Sequence, residues 1–434
     1  MMDSNIGYLQ AKNDGMSLYR KITWRIVPLL TLCYMVSYLD RVNIAFAKLE
    51  MLSDLRFSET VYGVGAGIFF VFYAFFEIPS SILGAKIGPR KWLVRIMIVW
   101  GLISASSMFV HTPTQFYLSR CLLGIAEASF VPTAILYLTH WFPTERRSKI
   151  IAIFFIALPL SGIIGGPISG WILENLKNVN GLAGWRWLFF IEAMPAVLLG
   201  FIVWIFLDDD IRSAKWLSHA EKDALEHEIK SGEKTKVSHA SLAQTLSDGK
   251  VWLMGSIYFC IVVAQYGVTL WLPTLIKAAG IAGNFHIGLV AAVPYIAAAT
   301  AMVCFGSLSD RTKLRKRCLM LPMLLGAIGF AGAAIFEANT FLAIGSLSLA
   351  AIGAISATPL FWPLPTGFLG NASAAAGIAL ITAMGNLAGF LSPSMVGWLR
   401  DTTHGGRAGM YVLVAFLLLG IAIVSRIPSK LVDK

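Results

Sequence analysis

The sequence predicts an all-α membrane protein of twelve transmembrane helices, arranged as two pseudo-symmetric six-helix bundles. Three observations carry that expectation: composition, the length of the apolar runs, and an internal repeat. Of 434 residues, 57% are apolar and only 14% charged, with a mean hydropathy of +0.70, whereas soluble domains carry about 25% charged residues. The apolar runs are long and continuous, which suits helices of about 20 residues. A β-barrel would show short alternating segments instead. The repeat joins Gly162-Ile-Ile-Gly-Gly-Pro-Ile-Ser-Gly170-Trp171 to Gly389-Phe-Leu-Ser-Pro-Ser-Met-Val-Gly397-Trp398, displaced by 227 positions. Ser81-Ile-Leu-Gly-Ala85-Lys86 and Gly306-Ser-Leu-Ser-Asp310-Arg311 repeat at nearly the same offset, 225. Repeats of this kind mark two bundles that rock about a central site.

Taken in order, the spans fall near 22–46, 60–84, 91–110, 114–138, 148–173 and 185–207, then 251–275, 284–307, 317–336, 340–364, 373–398 and 406–426. The first has basic flanks (Lys12, Arg20, Lys21, Arg25) but is too long and too polar at its far end for a cleaved signal. Basic residues gather in alternate connections: Lys86, Arg90, Lys91 and Arg95; Arg146, Arg147 and Lys149; Arg311, Lys313, Arg315, Lys316 and Arg317. The positive-inside rule then places both termini in the cytoplasm, in the inner membrane of a cell. The tenth connection, near Gly367–Asn371, has no basic residue and follows the rule imperfectly. Residues 208–250 form the one long polar stretch, separating a first bundle (1–207) from a second (251–434). Within it Ser218-His-Ala-Glu221 is a capping-box pattern, and Glu221 to His239 is amphipathic enough for a short surface helix. A charged linker is the plain reading of this stretch, a regulatory contact the alternative.

Other classes find little support. The cysteines (33, 121, 260, 304, 318) are scattered through apolar runs as small core residues. The histidines are equally dispersed, with no phosphate loop, nucleophile elbow or metal-ligand spacing, so neither an enzyme, a metal nor an organic cofactor is expected. The net charge of +11 is spent on topology, not on nucleic acid.

The chemistry is concentrated in the first half. Tyr38-Leu-Asp40-Arg41 places a carboxylate beside a guanidinium inside a membrane-length run, where charges by default mark an ion or substrate pathway; the alternative puts the pair at the interface. Tyr34, Ser37, Tyr38 and Arg41 follow i, i+3, i+4, i+7 and form one polar stripe. In span four Arg120 and Glu127 share a face about 10.5 Å apart along the axis. Gly124 lies between them and leaves room for a substrate or a neighbouring helix. Tyr73 and Glu77 stack at i, i+4 in span two, where Glu77 either lines the same cavity or serves as a structural hydrogen-bonding acid. The second half offers neutral groups: Gln265, Tyr266 and Thr269, Trp362, and Thr382 and Asn386, for which ordinary helix–helix hydrogen bonding is the alternative. The glycines and prolines of spans five and eleven suit close packing and bending.

Gly306-x-x-x-Asp310-Arg311 with its following basic run resembles the signature loop of the major facilitator superfamily, a gating loop. The first-half copy lacks the acid, having Ala85 in its place. More narrowly, Tyr38-Leu-Asp40-Arg41-Val-Asn43, Glu77-Ile-Pro79-Ser80, Arg120-x-x-x-Gly124-x-x-Glu127-Ala, Trp141-Phe-Pro-x-x-Glu145-Arg146 and Trp185-Arg-Trp-Leu-Phe-Phe-Ile-Glu192 resemble the anion:cation symporter family. The family carries organic anions such as hexonates, tartrate, phthalate and hydroxyphenylacetate. The resemblance implies a monomeric carrier that moves an organic carboxylate inward with protons by alternating access, and points to Asp40 and Glu127 as the coupling pair. Arg41 and Arg120 supply planar forks for the carboxylate, with Tyr38 and Tyr73 beside them. In a deprotonated, empty site the two acids are expected to pair with such cations. Pro359, Phe361, Trp362 and Pro363 tilt the expected cargo towards a compact or aromatic acid. A Gly-Pro-Gly pattern in span five also resembles superfamily antiporters, so an exporter of a metabolite or drug is the rival, and a receptor that binds without flux is a second.

Overall fold

The computed structural model describes residues 2–232, 247–368 and 374–428. Among the described residues, twelve helices are long and apolar enough to cross a membrane: α1 (Leu18–Leu55), α2 (Glu59–Ile87), α3 (Pro89–Phe109), α4 (Pro113–Trp141), α5 (Lys149–Asn175), α6 (Gly184–Phe206), α7 (Gly249–Ala278), α8 (Asn284–Thr312), α9 (Arg315–Ile335), α10 (Thr340–Pro365), α11 (Gly377–Thr403) and α12 (Arg407–Ser425). No strand occurs among the described residues. An even number of spans leaves both termini at one end, called here the near end; the other is the far end.

Short polar residues set the helix starts. Ser58 Oγ accepts from Val61 N at 3.1 Å to open α2, Thr112 and Gln115 form a reciprocal capping box before Pro113 at α4, and Asn339 caps α10. Each satisfies donors that the helix cannot pair internally. α1 continues to Leu55, well past the predicted end, and Asp40 is 1% exposed. The interfacial alternative for the Asp40–Arg41 pair therefore does not hold.

α4 departs from a plain span. Directly after Glu127 the chain breaks at Ala128–Ser129, where Ser129 takes a left-handed conformation (φ 72°) before the helix resumes at Phe130. Pro132 leaves Ala128 O without its helical donor; Ser80 Oγ of α2 donates to that carbonyl at 2.9 Å, and Trp92 Nε1 of α3 donates to the Ser129 hydroxyl at 3.2 Å. Irregular backbone inside a membrane needs such substitutes for water. The consequence is positional, since Glu127 ends a helical segment in the middle of the α4 span.

The repeated glycine motifs build two equivalent crossings. On α5 against α8, a Cβ on Gly166 or Gly288 would overlap the other's carbonyl oxygen. On α11 against α2, a Cβ on Gly63 would strike Pro393 O, and one on Gly397 would strike Glu59 O. Both crossings join the first six spans to the last six, so close packing is the role these residues serve. Gly288→Val is accordingly expected to cost about 1–3 kcal/mol through overpacking, read as a lowered unfolding midpoint of the detergent-purified protein.

At the far end the two sets of helices are tied together. Lys48 Nζ sits 2.6 Å from Glu59 and 3.6 Å from the Trp271 ring centroid, while Arg400 approaches Glu59 at 3.6 Å. Asp401 accepts from the backbone amides of Glu59 and Thr60 at the start of α2, a favourable place for an anion. Asn284 Nδ2 donates to Glu50 at 2.9 Å, and Phe285 N donates to Glu174 at 2.8 Å.

The linker helix runs His219–Gly232. Its predicted continuation to His239, like most of the tenth connection, lies outside the described residues. The capping box forms: Ser218 N donates to Glu221 at 2.7 Å and Glu221 N to Ser218 Oγ at 3.3 Å. That backbone bond, with Lys21 of α1 at 3.2 Å, holds the Glu221 carboxyl below its ordinary range. Tyr19 also donates to Glu228 of this helix at 2.8 Å.

Candidate functional site

The ionisable residues that the sequence singles out converge inside the first six spans, where α1, α2 and α4 meet. Arg41 and Glu127 form an ion pair at 2.8 Å, their side chains 12% and 0% exposed. Ser37 Oγ, one turn before Arg41, donates to the same Glu127 Oε1 at 2.5 Å. The polar stripe of α1 thus faces the end of the broken α4 segment. Arg41 also lies over the Tyr73 ring at 4.8 Å, so α2 supplies the wall behind it.

Arg120 is placed differently. It is 3% exposed, lies 5.3 Å from the Phe69 ring centroid, and forms no ion pair or hydrogen bond among the described residues. Phe69 carries Arg41 at 5.4 Å as well, so one ring supports both guanidinium groups. Gly124 permits this approach, because a Cβ there would strike Phe69 O; of its two predicted uses, the neighbouring helix is the one realised.

Asp40 corrects an expectation. It does not pair with a cation, although Arg41 is its neighbour in sequence. Consecutive helical residues point about 100° apart, so Asp40 turns towards α3, where its Oδ1 accepts from Ser104 Oγ and from Asn43 Nδ2. Only Glu127 of the two acids has the predicted cationic partner.

The remaining candidates form a looser ring. Tyr38 is buried and accepts from Gln265 Nε2 at 3.5 Å, while Gln265 accepts from Thr358 at 2.7 Å. Glu77 accepts from Asn386 Nδ2 at 3.3 Å across the α2–α11 crossing. The Tyr266 ring packs 4.3 Å from Phe70, and Trp362 lies 5.1 Å from Tyr258. Thr382 donates to Ile378 O of its own helix at 2.9 Å, which is its helix-packing alternative. Asp310 and Arg311 are exposed at the near end of α8, without an ion pair among the described residues. A pocket of about 510 Å³ at the far end, lined by Glu50, Asp54, Lys177, Lys277 and Asn284 among others, contains none of the candidate residues.

Several participants escaped the sequence reading. Ser37 was visible only as part of a stripe, and Phe69 looked like one aromatic among many. Ser104 has no helical spacing to Asp40, because tertiary packing brings it there.

Comparison with known proteins agrees with this architecture. The Major Facilitator Superfamily profile matches residues 30–393. A protein named "Putative tartrate transporter" from Agrobacterium vitis is 46% identical over 413 residues, covering 95% of this chain and 94% of its own. A "Quinolone resistance transporter" from Acinetobacter baumannii is 36% identical over 414 residues, covering 95% of each chain. Among solved structures, an inward-facing, occupied bacterial homologue of the human lysosomal transporter Spinster superposes with a TM-score of 0.76 at 17% identity, covering 94% of this chain and 97% of the other. Such relatives are carriers and not enzymes. A twelve-span helical fold built from two pseudo-symmetric bundles, with polar groups buried at its centre, is thus a multi-pass membrane transporter, and the chain belongs to the major facilitator superfamily.

Proposed function

We propose that the protein is a proton-coupled symporter that takes up an organic carboxylate by alternating access between its two six-helix bundles. Arg120 carries the reading: it is a buried guanidinium with no acid of its own, stacked on an aromatic ring and presenting donors suited to a carboxylate. Arg41, by contrast, is held by Glu127. Protonation of Glu127 weakens that pair and frees Arg41 to share the incoming anion, so proton and substrate loading favour each other. A site loaded with both carries less unpaired charge and passes the dry midplane at lower cost. Asp40 is the second acid of the coupling pair, while Tyr38, Tyr73, Glu77, Tyr266, Trp362 and Asn386 surround the cargo.

The far-end ties between α1–α2 and α7–α11 fit a conformation closed on that side, assigned to the periplasm by the basic connections. Both termini are then cytoplasmic, in the inner membrane, and Asp310 and Arg311 belong to a gating loop facing the cytoplasm. The protein works as a monomer, with protons and no organic cofactor. The tartrate-named relative supports a small hydroxy or dicarboxylic acid as cargo. One observation favours a second reading: a relative named for quinolone resistance supports proton-driven export.

The deciding measurement is uptake into proteoliposomes under an imposed inward proton gradient, with sugar acids, dicarboxylates, aromatic acids and a quinolone in parallel. Symport gives transient accumulation of one acid above equilibrium. Accumulation of a quinolone only when the gradient is reversed would select the exporter, and binding without flux would select a receptor.

A further inference from the structure

We infer that Gln265 and Tyr38 together read a hydroxyl group on the transported acid, each six-helix bundle supplying one donor. This role rests on the organic-carboxylate uptake proposed above and deepens it, because it names the residues that choose among carboxylates. The position comes from the internal repeat. The glycine motifs are displaced by 227 positions, and Tyr38 and Gln265 are displaced by the same 227. They are thus equivalent positions of the two halves, yet they also touch: Gln265 Nε2 lies 3.5 Å from the Tyr38 hydroxyl. Equivalent residues meet only where the pseudo-two-fold axis passes between them. Each half has an even number of spans, so the repeats are parallel, the axis follows the membrane normal, and both residues lie at one depth. That depth is central, since Tyr38 stands near the middle of α1 and Gln265 near the middle of α7. A contact off the axis parts when the bundles rock to one side. A contact on it stays between them in both conformations, where cargo has to be held.

The hydrogen bonds show what the pair leaves unused. Tyr38 and Gln265 are buried, at 4% and 7% exposure. Thr358 of α10 donates to Gln265 Oε1 at 2.7 Å, which spends the carbonyl end of the carboxamide on helix packing and turns its amino end to the axis. That amino end carries two N–H groups. Its one bond among the described residues, to Tyr38, is longer than the ordinary range of about 2.7–3.2 Å. The Tyr38 hydroxyl accepts this bond and donates none among the described residues. Buried donors left so poorly paired are costly, and an oxygen arriving between them takes short bonds from both.

The chemistry of the donors selects a hydroxyl over a second carboxylate. A carboxamide and a phenol are uncharged donors, and a buried carboxylate held by them alone keeps an uncompensated charge. A hydroxyl oxygen has two lone pairs, enough for one N–H and one O–H. The charged end of the same acid is provided for nearby, because Tyr38 precedes Arg41 by three residues, about 4.5 Å along α1. Arg41 shares the Phe69 ring with Arg120. An acid without the hydroxyl leaves Gln265 and Tyr38 with only the long bond between them.

The test is titration calorimetry without a proton gradient, on detergent-purified wild type, Gln265→Met, Tyr38→Phe and the double variant. Both substitutions nearly keep the side-chain volume and remove only the donor. The probes are two series of acids that differ in hydroxyls alone: tartrate, malate and succinate, and 4-hydroxyphenylacetate with phenylacetate. In the series that wild type binds, the hydroxylated acid is expected to bind about tenfold more tightly than its deoxy analogue, on the scale of neutral hydrogen bonds. Each single variant lowers that ratio to about threefold, and the double variant brings it to about one. The ratio is taken within each variant, so a purely structural pair, whose loss weakens both acids alike, leaves it at the wild-type value and overturns the inference. A wild type that binds these acids with no preference for the hydroxyl also overturns it, and keeps the carboxylate reading. Binding of none of the acids refutes both.

Discussion

Arg120→Lys is expected to weaken binding of the transported carboxylate by about a hundredfold, corresponding to about 3 kcal/mol, whereas Arg41→Lys weakens it by about tenfold or less. Both changes keep a positive charge, so they isolate the geometry of the donors. Arg120 forms no ion pair among the described residues, and its worth lies in offering two parallel N–H donors to an anion that arrives with two oxygens. Lysine provides a point charge with one well-placed bond, and it loses the flat face that rests on Phe69. Hydrogen bonds to charged groups contribute about 1.5–3 kcal/mol each, which sets the scale. Arg41 already spends its Nε on Glu127, so its share of the anion is smaller at rest. Titration calorimetry on detergent-purified variants, with the acid selected by the uptake panel, reads both effects. Equal losses at the two positions would dissolve the distinction between a free and a committed arginine.

Much of this arrangement was legible beforehand because membrane spans write themselves as long apolar runs, and their charged exceptions stand out. Asp40, Arg41, Arg120 and Glu127 were identifiable as costly charges, and the spacing of Ser37 and Arg41 already placed them on one face. The glycine repeat was legible too, since a motif that recurs at one offset must serve equivalent crossings, here α5–α8 and α11–α2. What escaped was which acid meets which base. Adjacent residues in a helix face different neighbours, so the Asp40–Arg41 dipeptide separates into two systems: one with Glu127, the other with Ser104 and Asn43. The break after Glu127 has a local cause that side-chain spacing passes over: Pro132 has no N–H to offer Ala128 O, four residues before it, and its ring crowds that carbonyl. What the sequence does not write is how the freed carbonyl is satisfied, since Ser80 comes from another helix.

Glu127→Gln is expected to abolish gradient-driven accumulation while leaving substrate exchange across the membrane in place. Glutamine imitates the protonated acid: it still accepts from Ser37 but no longer attracts Arg41 with a full charge. Arg41 then stays available to the anion, so the carrier binds and returns loaded whatever the proton gradient. Wild type pays for an empty, deprotonated site by closing the Arg41–Glu127 pair, a buried bond whose one-sided removal costs about 3–5 kcal/mol. That difference is what links proton to cargo. Because a tenfold change corresponds to about 1.4 kcal/mol, losing it removes at least about a hundredfold of coupling. Counterflow of labelled acid with no gradient, set beside accumulation with one, reads both halves of the prediction in the same vesicles. Persistent accumulation in Glu127→Gln would move the coupling proton to Asp40, which Ser104 and Asn43 hold by hydrogen bonds and which forms no ion pair among the described residues.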